Sequence, residues 1–170
     1  MIRKAERCDI DEMCVVINDG ASAYKGVIPD DRWHEPYMPL AELESELAAG
    51  VQFSCYIEAG EILGVMGIQD KGSIVLIRHA YVRTTARRQG IGAKLLDALI
   101  RKSEKPVLIG TWRSARWAID FYKKHGFGAL PDHQAQDLLR RYWSVSTRQM
   151  ETSVVLADRG FMTQPGNAIC

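Results

Sequence analysis

The sequence predicts a mixed α/β domain, a largely antiparallel sheet covered by helices, and three observations carry that expectation. A chain of 170 residues, 46% hydrophobic and 25% charged, can bury one sizeable core and is short for two domains. Three strand-like segments follow one another across residues 51–82, split by Ala59-Gly60-Glu61 and Asp70-Lys71-Gly72, which is the pattern of an antiparallel meander. From Gly90 the apolar period lengthens from about 2 to about 3.6, and helix-like and strand-like stretches alternate from there on.

The elements follow in order. After an opening strand, Asp9 with Glu12 three residues on reads as a capping box, and Ile10, Met13, Cys14 and Ile17 recur at helical spacing to about Ala23. Beyond Gly26 the text VIPDDRWHEPYMP is rich in proline, charge and aromatic rings without a period, which marks an ordered connection. Leu40, Leu43 and Leu47 give a second helix, and Gly50 stands where helices stop. The meander strands fall at about residues 51–58, 62–69 and 73–82. Ile91, Leu95, Leu96, Leu99 and Ile100 form a wide apolar face that must lie on the sheet. Pro106 opens a short buried strand, VLIGTW, and Ser114 is the expected cap of the helix ARWAIDFYKKH, which Gly126 ends before FGAL. QAQDLLRRYW reads as a further helix and METSVVLA as the last strand. Residues 1–161 are expected to form the single domain and residues 162–170 a loosely ordered tail.

Composition narrows the partners. Basic and acidic residues nearly cancel, 22 against 21, so no global field draws in nucleic acid or an anionic membrane, and any anion must be captured locally. No apolar run nears the length of a membrane span and residues 1–6 lead into no signal core, so a soluble cytoplasmic protein is expected. Cys8, Cys14, Cys55 and Cys170 are scattered, without C-x-x-C pairs or histidines at finger-like intervals, and neither a metal site nor a disulfide framework is expected.

A local anion site is legible in YVRTTARRQGIGAKLLDALI. A strand ending near Val82, a basic turn, and a helix opening near Gly90 bring free backbone N–H groups and a positive helix end to one point. The spacing excludes a P-loop, because Gly92 is followed by Ala93-Lys94-Leu95 rather than lysine and a hydroxyl residue. It also excludes a dinucleotide fingerprint, which needs a third small residue where Leu95 stands. The plainer alternative is a glycine-rich turn with solvated arginines.

Arg87-Arg88-Gln89-Gly90-Ile91-Gly92 resembles the Arg/Gln-x-x-Gly-x-Gly/Ala pyrophosphate loop of the GNAT superfamily of N-acetyltransferases. Downstream, WAIDFYKKHGF is similar to that family's A-x-x-x-Y-x-x-x-G-F pattern, with Ala118, Tyr122, Gly126 and Phe127 in the matching places. Many members carry an asparagine seven residues before the tyrosine, where this chain has Ala115. The resemblance implies a sheet splayed at a cofactor cleft and acetyl-CoA as the acyl donor, with no metal. The pyrophosphate would lie on the loop from Arg87 through Gln89 to Ala93, and the pantetheine arm along Ala80, Tyr81 and Val82, whose amides would polarise the thioester. Transfer would be direct, amine to thioester.

Tyr122 stands in the family's place for the acid that protonates the leaving thiolate. With about 10 for tyrosine and about 8.5 for a thiol, that transfer is uphill by about 1.5 units, roughly 2 kcal/mol. His79 is the candidate base, being a residue type suited to proton transfer near neutrality, with His34, Glu35 and a water chain as competitors. Strict alternation would put Ile77, His79 and Tyr81 on one sheet face, and Leu76, Arg78 and Ala80 on the other. In the family the connection between the first two helices overhangs the thioester, so Tyr24, Trp33, His34, Glu35 and Tyr37 are the candidate acceptor residues. Its rings would wall a pocket, and Asp30, Asp31 and Glu35 would attract an ammonium. The acceptor would be a small-molecule or peptide amine, and a homodimer through the last strands is an option by analogy. The alternative from another class is a noncatalytic acyl-CoA-binding or sensor domain of the same fold, and an unrelated phosphate-binding domain is a third.

Overall fold

The computed structural model describes residues 1–101 and 103–166. Seven strands form one sheet: β1 (Ile2–Lys4), β2 (Gln52–Glu58), β3 (Glu61–Asp70), β4 (Val75–Val82), β5 (Val107–Trp112), β6 (Gly128–Ala129) and β7 (Ser153–Ala157), in the order β1-β2-β3-β4-β5-β7-β6. Every neighbouring pair is antiparallel except β4 with β5, so the expected mixed, mostly antiparallel sheet is what the chain builds. Helices α1 (Ile10–Ala21) and α2 (Leu40–Ala48) cover one face over the meander, and α5 (Asp132–Tyr142) and α7 (Arg159–Met162) continue that layer over Leu76, Leu108 and Val155. The other face carries α3 (Ile91–Ile100) and α4 (Arg116–Lys124), whose Ile91, Leu95, Ile119 and Tyr122 pack on Met66, Ile77 and Ile109. The remaining helix, α6 (Thr147–Glu151), leads into β7. Among the described residues no helix is long and apolar enough to cross a membrane.

Local signals placed the elements well and some of their ends less well. Asp9 does precede α1, but its carboxylate does not cap it. It accepts from the Glu6 N–H at 2.7 Å and from Arg3 at 2.6 and 2.9 Å, tying β1 to the turn before the helix. That guanidinium outweighs burial and holds the carboxyl below its ordinary range. Glu12 reaches outward instead, accepting from the Ile62 N–H at 2.8 Å and from Arg83 at 3.3 Å. Ser114 offers α4 only its backbone carbonyl, at 2.9 Å from the Arg116 nitrogen, and Ala115 holds the cap position. Met150 and Glu151 belong to α6, capped by the Ser146 hydroxyl, rather than to the last strand. Met162 ends α7 and packs on the cluster around Phe161, while the tail residues 167–170 lie outside the described residues.

Two irregularities of β4 position everything that follows. Val65 pairs with Tyr81 and Gly67 with Arg78, so Met66 faces both His79 and Ala80, a β-bulge with His79 in the left-handed region at φ 51°. The extra residue resets the alternation. Ile77, Ala80 and Val82 face α3 and α4, whereas His79 joins Arg78 and Tyr81 on the α1–α2 side. The expectation of strict alternation is therefore wrong beyond Arg78, because a bulge inserts one unpaired residue and shifts the register of the rest. The second irregularity is a parting of strands: β4 pairs with β5 only at Val75, Leu76 and Ile77, opposite Val107, Leu108 and Ile109. Beyond that point β5 pairs with β7 alone, and the sheet is open between β4 and β5.

Gly64 lets α3 sit close against β3, since a Cβ there would stand 2.8 Å from Ile91 Cγ2 and 3.2 Å from Leu95 Cδ1. Gly64→Ala is expected to destabilise the fold by about 1–3 kcal/mol through overpacking, against the usual gain from replacing a strand glycine. A urea titration of the two proteins measures it.

Candidate active site

The loop from β4 into α3 is pinned to α1 by tertiary bonds. Asp19 accepts from the Thr84 N–H at 2.6 Å and from its hydroxyl at 3.0 Å, and Arg87 donates to the Gly20 carbonyl at 3.0 Å. Within the loop Arg88 and Gly90 both take positive φ, 65° and 76°, on either side of Gln89. Such alternation of backbone handedness cups anions. Among the described residues no backbone N–H of residues 88–93 meets a protein acceptor, and the first that does is Lys94, on the Gly90 carbonyl at 3.0 Å. A row of free donors at the positive end of α3 has the make-up of an anion cradle, because such N–H groups point at a ligand that approaches the helix start.

The cradle opens into a cavity of about 870 Å³ that runs through the gap between β4 and β5. Of the residues expected to hold the donor, Arg87, Arg88, Gly90, Ile91, Gly92 and Ala93 border this cavity, and so do Ala80, Tyr81, Val82 and Tyr122; Gln89 does not. Tyr122 is 6% exposed, and burial, reinforced by the nearby Tyr24, pushes its phenol above its ordinary value. Tyr24 is pushed up to about 12 by burial and by Tyr37, and burial likewise raises Tyr37 and Tyr81. All four phenols thus stay protonated through the physiological range.

On the side of the connection between α1 and α2, Tyr24 and Tyr37 line the cavity, with Trp112 donating from Nε1 to the Tyr37 hydroxyl at 3.1 Å. Trp33, His34 and Glu35 do not line it. Trp33 stacks on Tyr37 at 5.5 Å, His34 Nδ1 lies 2.7 Å from the Pro36 carbonyl, and Glu35 pairs with Lys25 at 2.6 Å, so local contacts hold all three outside the lining. His79 borders the cavity, its ring stacked on Phe53 and its Nε2 standing 3.1 Å from Glu46 Oε2. Burial would raise the Glu46 carboxyl, but His79 and Arg78 outweigh it and hold it below its ordinary range. Glu46 is the neighbour of His79 that sequence reading missed, since nothing in the helical register of α2 marks it. Trp143, whose indole lies against the Gly110 backbone, and Phe121, beside Gly92, are further lining residues.

A family model described as an acetyltransferase (GNAT) domain matches residues 18–141, more than half of the chain. The chain belongs to the GNAT acetyltransferase family. Solved structures agree in fold: an acetyltransferase of the GNAT family from Staphylococcus aureus Mu50 is 20% identical, covers 93% of this chain and 97% of its own, and superposes with a TM-score of 0.69. The PaiA N-acetyltransferase of Thermoplasma acidophilum, solved in complex with coenzyme A, is 15% identical over 93% and 97% of the two chains, with a TM-score of 0.68. The ribosomal-protein-S18-alanine N-acetyltransferase of Escherichia coli is 15% identical over 100% and 98%, with a TM-score of 0.66.

This GNAT chain also accounts for its own departure from the motif. Ala115 is fully buried against Ile28 and Trp112, where the space is filled by a small apolar side chain. Gly92 has Phe121 at 3.5 Å and Val82 at 4.0 Å from where a Cβ would stand, ordinary contacts with two residues that line the cavity, so a side chain there meets the cavity edge without a clash. Gly92→Glu is expected to weaken acetyl-CoA binding by about tenfold or more, through bulk and through negative charge at the helix end, with thermal unfolding little changed. Calorimetric titration beside a melting curve tests both halves.

Proposed function

We propose that the chain is an acetyl-CoA-dependent N-acetyltransferase that passes the acetyl group directly to a primary amine. The observation that supports this reading is the coincidence, in one cavity, of a free N–H cradle, the unpaired β5-facing backbone of residues 79–82, and the Tyr122 phenol. Donor phosphates lie on the cradle, and the pantetheine arm takes the place β5 vacates beside Ala80, Tyr81 and Val82. Strand amides there stabilise the oxyanion as it forms.

The amine lone pair attacks the thioester carbon, a C–N bond forms, and the C–S bond breaks. Tyr122 gives its proton to the departing thiolate and is reprotonated from solvent. Its raised phenol widens the uphill gap beyond the roughly 2 kcal/mol of unperturbed groups, which a thiolate held in the same buried space narrows again. The surplus proton on nitrogen passes to His79, directly or through water. Glu46 engages Nε2, which leaves Nδ1 as the nitrogen that accepts it.

Tyr122→Phe is expected to lower kcat by about a hundredfold while acetyl-CoA binding is retained, the scale of a lost general acid. His79→Asn keeps a residue that tolerates the left-handed backbone and is expected to lower kcat by a similar factor. Thiol release under saturating acetyl-CoA reads both. Binding of acetyl-CoA with no release by the wild type, and no difference in Tyr122→Phe, turns the assignment to an acyl-CoA sensor. Unchanged turnover in His79→Asn returns the amine proton to a water chain.

A further inference from the structure

We propose that Glu46 is the positioning residue of the proton acceptor: it binds His79 through Nε2, holds the imidazole as the Nε2–H tautomer, and thereby keeps the Nδ1 lone pair free for the amine proton. This rests on the acetyl-transfer reading above and on His79 as the acceptor of that proton. Oε2 of Glu46 and Nε2 of His79 are both shut off from solvent and stand 3.1 Å apart. A carboxylate oxygen only accepts, so the nitrogen facing it carries a hydrogen. Nδ1 is not shut off, and it meets no hydrogen-bond partner among the described residues, on a ring that borders the cavity.

The β4 bulge makes the contact possible. In a regular strand Arg78 and His79 would point to opposite faces, whereas the left-handed backbone at His79, φ 51°, sends both to one carboxylate. Arg78 Nη2 stands 2.9 Å from both Glu46 oxygens and donates to Oε1, and its Nη1 donates to Gln69 Oε1 at 3.0 Å. Gln69 is 3% exposed and donates in turn to the Ala49 carbonyl at 2.9 Å, just past Glu46 at the end of α2. Phe53 stacks on the imidazole at 5.8 Å. The acid is thus oriented by Arg78, Arg78 by Gln69, and the ring by the acid and Phe53. Burial opposes the charge on Glu46, but His79 and Arg78 keep the carboxyl below its ordinary range, so it faces the ring ionised.

In the transfer step the C–N bond forms as the C–S bond breaks, the thiolate takes the Tyr122 proton, and the surplus proton leaves nitrogen for Nδ1, directly or through water. Nε2 keeps its own hydrogen throughout. The imidazolium that forms lies 3.1 Å from a carboxylate that stabilises it, and it later returns the proton to solvent. Glu46 itself does not line the cavity and acts only through the ring. The same neighbours dictate what an amide would do in its place. Arg78 can only donate, so in Glu46→Gln the amide oxygen turns to Arg78 and the amide NH2 to His79. Nε2 then has to accept, the ring hydrogen moves to Nδ1, and the atom that takes the amine proton is already occupied.

The experiment reads the ring directly, with long-range 1H–15N spectra of the histidine-labelled full chain above the pH at which the imidazole loses its charge, and with His79→Asn assigning the signals. Wild type and Glu46→Asp are expected to show the Nε2–H form and Glu46→Gln the Nδ1–H form. Thiol release is followed beside it, with phenethylamine, spermidine and alanine amide as probes. In Glu46→Gln kcat is expected to fall about tenfold or more with acetyl-CoA affinity unchanged, and Glu46→Asp to recover part of it. An Nδ1–H ring in the wild type, or an unmoved tautomer or unmoved kcat in Glu46→Gln, overturns the positioning role. Unchanged turnover in His79→Asn, or no thiol release by the wild type from bound acetyl-CoA, overturns the reading on which this inference rests, and the inference with it. The two failures are distinguishable because the spectra need no acceptor.

Discussion

The parting of β4 from β5 beyond the Ile77–Ile109 pair is the constraint on which the rest of the structure depends. Two parallel strands that separate leave backbone donors and acceptors facing a gap, and such groups are costly unless something pairs with them. The bulge at His79 supports the parting, because an extra residue increases local twist and turns the strand away from its neighbour. β5 finds its pairing on the other side, with β7, from Leu108 to Trp112. A sheet built this way holds a permanent opening, and its unpaired backbone is complementary to an extended, amide-bearing ligand.

Rigidity around that opening comes from α1 rather than from the loop's own sequence. Gly20 brings α1 so near β4 that a Cβ would lie 3.0 Å from Tyr81 Cβ. Asp19 bonds Thr84, Glu12 bonds Arg83 and the Ile62 N–H, and Arg87 bonds the Gly20 carbonyl. These contacts hold the glycine loop before any ligand arrives, so less ordering entropy has to be offset on binding. One helix thus supports the cradle and, through Tyr24 and Tyr37 that follow it, an aromatic wall of the cavity.

Electrostatically the cavity is one-sided. Its charged lining is basic, its phenols are held protonated by burial, and Glu35 and Glu46 nearby are paired with Lys25 and Arg78. Such a cavity suits an anionic ligand, since each interaction is strengthened where water is excluded. The His79–Glu46 contact is the exception that keeps a carboxylate near without exposing it, through a bulged residue whose ring is fixed by Phe53 on one side and an acid on the other.

The sequence by itself determined most of the elements and the place of Gly90 and Gly92 at the opening of α3. Apolar periodicity along α1 and α3, the turns of the meander, and the spacing of Gly90 and Gly92 behind two arginines are all local quantities, and a local pattern survives folding because backbone preferences act within a few residues. What only the tertiary structure decided are the relations between distant segments. The bulge sends His79 to the face of Arg78, Glu46 arrives from a helix more than 30 residues away in sequence, and Asp9 and Glu12 serve a strand and a loop instead of a helix end. Trp33, His34 and Glu35 are pocket candidates through the family resemblance, yet their partners Tyr37, Pro36 and Lys25 keep them out of the lining. Register and docking set these relations, and they depend on the balance of contacts across the whole core, which no short stretch of sequence encodes.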